Sequence, residues 1–112
     1  GGEKISCEEV ENLILAHPAV RQVTLVGMPD PVFGERACAF VIPKDGMTLT
    51  LAGLTAHLRA QGIASFKLPE RLELVDSFPT SPVGKILKRA LRDTIADTLA
   101  REAGAQPGND AP

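Results

Sequence analysis

The stretch Arg36-Ala37-Cys38-Ala39-Phe40-Val41-Ile42-Pro43 decides the fold. Side chains along a strand point alternately to opposite faces. Here Ala37, Ala39 and Val41 alternate with Cys38, Phe40 and Ile42, so a strand over 36–43 is apolar on both faces. Such a strand needs cover above and below, which predicts a central position in a small sheet.

Working outward, Val20 to Met28 reads as a second strand, with Val23 and Leu25 on one face and Thr24 and Val26 on the other. Pro29-Asp30-Pro31 predicts a turn, and the two strands are near enough in sequence to pair as an antiparallel hairpin with a longer loop. Ahead of them, Ser6-Cys7-Glu8-Glu9 has the pattern of a capping box. Val10, Leu13, Ile14 and His17 follow at helical spacing until Pro18. Downstream, Lys44-Asp45-Gly46 is a turn, and Leu51, Leu54 and Leu58 form a helical stripe ended by Gly62. Phe66-Lys67-Leu68-Pro69 leads irregularly into a short strand, Arg71 to Val75. Phe78 to Lys85 carries Pro79, Pro82 and Gly84 and reads as an exposed loop. A last helix is expected from about Ile86 to Ala100, with Leu87, Leu91, Ile95 and Leu99 at steps of four. The expected class is α+β: a small, mostly antiparallel sheet of about three strands flanked by three helices, in one domain over 1–102. Residues 103–112, rich in Gly and Pro, are expected to be a disordered tail.

Composition narrows the function classes. At 112 residues the chain is one domain, 44% hydrophobic and 23% charged. Its aromatic residues are Phe33, Phe40, Phe66 and Phe78 alone, so the core is aliphatic. A net charge of −2 and no aromatic platform argue against a nucleic-acid partner. No apolar run approaches the roughly 18 residues of a membrane span. No signal peptide is visible. Cys7 and Cys38 have neither CxxC nor zinc spacing, so both read as packing thiols suited to a reducing, cytoplasmic compartment.

Few residues offer chemistry. His17 and His57 sit on predicted helices and read as boundary or surface residues rather than bases. No Ser-His-Asp arrangement and no metal-binding spacing is evident, and no metal ligand is assigned. Lys88, Arg89, Arg92 and Asp93 read as the solvated face of the last helix. Gly84-Lys85 stands apart, because a lysine in a proline-braced loop is held out from the domain with three donors on a long stem. It is not a Walker loop: position 79 is Pro rather than Gly, and Ile86 follows Lys85. From spacing alone Lys85 remains a plain surface lysine, and Gly1-Gly2-Glu3-Lys4 a flexible lead-in.

Five segments in order change that reading. Gly1-Gly2-Glu3-Lys4-Ile5, His17-Pro18-Ala19-Val20, Met28-Pro29-Asp30 through Gly34-Glu35, Phe66-Lys67-Leu68-Pro69 and Pro79 to Lys85 together resemble the C-terminal domain of the adenylate-forming (AMP-binding) ligase superfamily, over about residues 1 to 100. Glu3-Lys4-Ile5, Glu8-Glu9-Val10-Glu11-Asn12 and Gly34-Glu35-Arg36 add a likeness to the stand-alone aryl-acid ligases of siderophore biosynthesis, which activate 2,3-dihydroxybenzoate or salicylate.

The resemblance implies a two-step reaction. A carboxylate attacks the α-phosphate of ATP and pyrophosphate leaves; a thiol then takes the acyl group and AMP leaves. The domain would be a mobile lid, with Lys85 catalytic in the first step and Gly84 beside it at the ATP. Gly1, Gly2, Glu3 and Lys4 would line the thiol tunnel in the second step, and Gly34, Glu35 and Arg36 would help dock a carrier protein. ATP and Mg2+ would be held mainly by an N-terminal adenylation domain of the same parent chain. The acceptor would be the pantetheine thiol of an aryl or acyl carrier protein, or coenzyme A. The domain alone would be inactive. The alternative is a non-catalytic, stand-alone module that docks a carrier protein or partner subunit.

Overall fold

In the computed structural model the described residues are 7–30, 34–64 and 67–104. They form α1 (Cys7–Leu15), β1 (Val20–Asp30), β2 (Gly34–Pro43), α2 (Leu51–Ala60), β3 (Arg71–Leu74) and α3 (Lys88–Gly104). The strand order is β1-β2-β3, so β2 is central as its two apolar faces require. The long β1–β2 ladder is antiparallel, and the short β3 joins β2 in parallel. The class is α+β.

Each face of β2 has its own core. Ala39 and Val41 face Val10 and Ile14 of α1, Leu54 and Leu58 of α2, and Leu25 of β1. Cys38 and Phe40 face Val26 and Met28 of β1 with Leu91 and Ile95 of α3. Burying one such side chain fully is worth about 1.5–3 kcal/mol. Val20 and Leu25 share a face although their spacing is odd. An irregularity in register between Val20 and Gln22 shifts the alternation by one.

Several boundaries differ from the sequence expectation. Pro29 and Asp30 belong to β1, paired with Glu35 and Gly34, rather than to a turn. A proline is tolerated there because β1 is an edge strand whose outer amides need no ladder partner. Hence β2 begins at Gly34, and only 31–33 remain between the strands. α1 ends at Leu15, ahead of Pro18, consistent with the bias of a pre-proline residue away from helix. The capping serine Ser6 lies outside the described residues, as does Phe66. α2 has a cap the sequence reading passed over, with Thr50 Oγ1 accepting the Gly53 amide at 3.0 Å. Gly62, at φ +88°, does close that helix. β3 stops at Leu74, and α3 starts at Lys88 and runs through Gly104, past the expected end. Residues 105–112 lie outside the described residues.

Ion pairs pin α3 to β3. The Arg71 guanidinium bonds both carboxylate oxygens of Glu102 and one of Glu73. Those contacts raise the Arg71 pKa further and lower that of Glu102. Beneath them the Cys38 thiol is pushed up to about 12, first by burial and then by the nearby Glu73 carboxylate, so it packs and does not react.

His17 and His57, expected as boundary or surface residues, instead meet in a half-buried T-shaped pair with ring centroids 5.0 Å apart. His17 Nδ1 accepts the Ala19 amide at 3.0 Å. His57 Nε2 lies 2.8 Å from the Leu13 carbonyl, which can only accept, so that nitrogen is the protonated one. A second proton on His17 would have to go to Nδ1 and break the Ala19 bond. Burial first and His57 second lower the His17 pKa below its ordinary 6.5.

Ile95 is 1% exposed, so Ile95→Ala should cost about 2–5 kcal/mol of unfolding free energy in urea titrations. Because the folded His17 binds its proton less readily than the unfolded chain, its contribution to stability is present above pH 6.5. It should be lost as pH falls from there towards the lower folded-state pKa. His17→Asn should flatten that part of a stability–pH profile measured between pH 7.5 and 5.

Candidate functional site

The chain between β3 and α3 must pass from the sheet to its far face, and the segment that does so carries Lys85. It is the exposed loop expected from its prolines and glycine, with an order of its own. Phe78 and Ile86 anchor its two arms on the α3-side core. Thr80 and Ile86 form an antiparallel bridge, and the Leu87 amide donates to the Pro79 carbonyl at 2.9 Å. Within these arms the Ser81 amide donates to the Lys85 carbonyl and the Gly84 amide to the Ser81 carbonyl, each at 2.8 Å.

Pro82 therefore occupies the second position of a tight turn, where its fixed φ is preferred. Val83 follows. No non-glycine residue among those described has positive φ, so Val83 excludes a type II turn, and the turn is type I. Gly84, at φ +88°, then makes the left-handed step that returns the chain to the opposite arm. Open space surrounds a Cβ built there, so the requirement for glycine is conformational rather than steric. The turn is closed by Ser81, whose Oγ accepts the Lys85 amide at 3.2 Å. Ser81 was not among the expected site residues. The signal available in sequence was its hydroxyl four residues before Lys85, in a turn of Pro and Gly.

This hairpin leaves the Lys85 side chain exposed, and Val83 at its tip is 89% exposed. Behind it lies an open groove of about 350 Å3, with Arg21, Gln22, Asp76 and Thr80 on its polar walls and Phe78 on its apolar side. The first turn of α3 continues the positive charge with Lys88 and Arg89 and holds no acidic residue. A helix N-terminus favours anions, so cations there oppose the dipole by about 0.3–1 kcal/mol each. Lys88 is offset by an ion pair with Glu11 of α1 at 3.0 Å.

The other expected site residues are not brought to Lys85. Gly1, Gly2, Glu3 and Lys4 lie outside the described residues. Gly34, Glu35 and Arg36 sit at the opposite end of the β1–β2 ladder from the groove. Arg36 pairs with Met28 in the ladder, whereas Gln22 and Ile42 pair beside the hairpin. Six ladder steps separate those rows, on the order of 20 Å. Arg36 also makes an ion pair with Glu70 at 2.8 Å, tying the start of β2 to the approach of β3. Among the described residues no group of three His, Cys, Asp or Glu side chains converges to hold a metal ion. No helix among them is long and apolar enough to cross a membrane.

The chain is 52% identical over 99 residues to the 2,3-dihydroxybenzoate-AMP ligase of Bacillus subtilis, covering 88% of this chain and 18% of that protein. It is 50% identical over 103 residues to pyochelin synthase PchD of Pseudomonas aeruginosa, covering 92% of this chain and 19% of that protein. Among solved structures, apo MbtA of Mycobacterium smegmatis superposes with a TM-score of 0.77 at 40% identity, covering 83% of this chain and 18% of that one. The chain thus spans about a fifth of the length of the relatives it matches. Residues 9–85, which end on Lys85 itself, match the profile of the AMP-binding enzyme C-terminal domain, and the chain belongs to that family.

Proposed function

We propose that this chain is the mobile C-terminal lid of a longer ATP-dependent acid–thiol ligase, with Lys85 its catalytic lysine. The observation that carries this reading is an exposed lysine presented by a hydrogen-bonded hairpin at the end of the family match. Adenylation brings an anionic carboxylate against an anionic phosphate. An ammonium about 4 Å from the charge that develops is worth on the order of 4 kcal/mol at an effective dielectric of 20. That is roughly a thousandfold in rate if it is felt mainly in the transition state. Ser81, Pro82 and Gly84 fix the backbone of Lys85, so only the side chain needs ordering when it meets the phosphate.

The reaction runs in two balanced steps. A carboxylate oxygen bonds to the α-phosphorus of ATP and the bond to pyrophosphate breaks. A thiolate then bonds to the acyl carbon and AMP leaves. Any Mg2+ that accompanies ATP would be held outside the described residues of this domain. The relative named for 2,3-dihydroxybenzoate supports an aryl acid as substrate. In this reading the acceptor is the pantetheine of a carrier protein, with docking that includes Gly34, Glu35 and Arg36, and coenzyme A is the alternative acceptor. The loop Gly1-Gly2-Glu3-Lys4 would line the path of the thiol.

In the full-length ligase, Lys85→Ala should lower pyrophosphate exchange by about two to three orders of magnitude and leave thioester formation from supplied acyl-adenylate near normal. Lys85→Arg should restore only part of the lost rate, since it keeps the charge and changes its shape. Equal losses in both half-reactions would overturn the one-step role of Lys85. Thioester formation should also be faster on a carrier protein than on free coenzyme A. A strong preference for coenzyme A would remove the carrier from this reading.

A further inference from the structure

We infer that Glu11 and Lys88 are positioning residues for Lys85, because their ion pair fastens the start of α3 to the opposite layer of the domain. The inference rests on the reading of Lys85 as the adenylating lysine.

One oxygen of Glu11 gathers three donors. The Leu25 amide reaches Glu11 Oε2 at 2.7 Å, the Thr24 hydroxyl at 3.4 Å and Lys88 Nζ at 3.0 Å. Glu11 lies on α1, which covers one face of the sheet, while Lys88 opens α3, which covers the other. The carboxylate reaches this lysine past β1, the edge strand. Its side chain is 19% exposed and fixed by a backbone amide, so it is the rigid partner; Lys88, at 44%, is the adjustable one.

The start of α3 needs such a fastening. The residue before it is Leu87, whose carbonyl accepts the Ala90 amide at 3.1 Å but whose side chain has no oxygen to cap the amides ahead of it. Lys88 and Arg89 add charge of the sign the helix dipole disfavours. Yet this first turn is joined to the catalytic hairpin without slack. Lys88 follows Lys85 by three residues, Ile86 bridges to Thr80, and Leu87 bonds to Pro79. Movement of the first turn is therefore movement of Lys85. An error of about 1 Å in a reacting group can cost a hundredfold in rate.

The test uses the full-length ligase and pyrophosphate exchange. Lys88→Gln leaves Glu11 bonded to the Leu25 amide, so the fold should survive, with an unchanged melting temperature as the check. It should lower kcat for adenylation by about tenfold, with the KM for ATP within about twofold. Lys88→Arg should recover most of the loss, and Glu11→Gln should resemble Lys88→Gln. In a Lys85→Ala background neither substitution should lower the residual rate further. An unchanged kcat in Lys88→Gln, alongside a loss in Lys85→Ala, would overturn the positioning role and leave the Lys85 reading standing. So would losses that multiply with Lys85→Ala, or a raised KM for ATP at constant kcat, which would mean direct contact with the nucleotide. No loss in Lys85→Ala itself would sink the Lys85 reading and this inference together.

Discussion

Burial of β2 on both faces is the constraint from which the rest of the domain follows. Cys38 and Phe40 need a cover that Ala39 and Val41 cannot share, so the helices must divide. α1 and α2 take one face, and α3 takes the other. Because β3 lies beside β2 in the sheet, the chain can reach the far face only by a connection that leaves the sheet after Leu74. That connection is the segment that presents Lys85. The position of the candidate site is thus a consequence of core packing, not an addition to it.

The elements readable from sequence were those set by local periodicity. The alternation in 36–43 identified the central strand, and the stripes of Leu51, Leu54, Leu58 and of Leu91, Ile95 identified two helices. Lys85 was legible as exposed because Pro79, Pro82 and Gly84 surround it. What local pattern left unread was the order inside that loop: Pro82 and Gly84 sit at the turn positions that favour them, and Ser81 supplies the closing bond. Pro29 did mislead: its missing donor matters in a central strand and not on the outer side of an edge.

Contacts between residues far apart in sequence were not legible at all. Glu11 and Lys88 are 77 positions apart, Arg71 and Glu102 are 31, and His57 reaches Leu13 across 44. Each depends on how the layers stack. Glu11 was read only as part of a helix resembling the aryl-acid ligases, and Lys88 only as part of a solvated face. The candidate site is divided accordingly. A short local segment presents the lysine, and long-range polar contacts tie the neighbouring elements together.

The bond from the Leu25 amide to Glu11 has a consequence for the domain in a crowded solution. β1 is eleven residues long and forms one border of the sheet, with a row of amides and carbonyls that no strand among the described residues pairs. Such a border is a template on which another extended chain can add and start an aggregate. Glu11 takes up one amide near the middle of the row, and Lys88 beside it places a charge that an incoming strand would have to desolvate. Pro29 breaks the donor row further along. The domain can therefore carry a long, apolar hairpin and still discourage self-association through its edge.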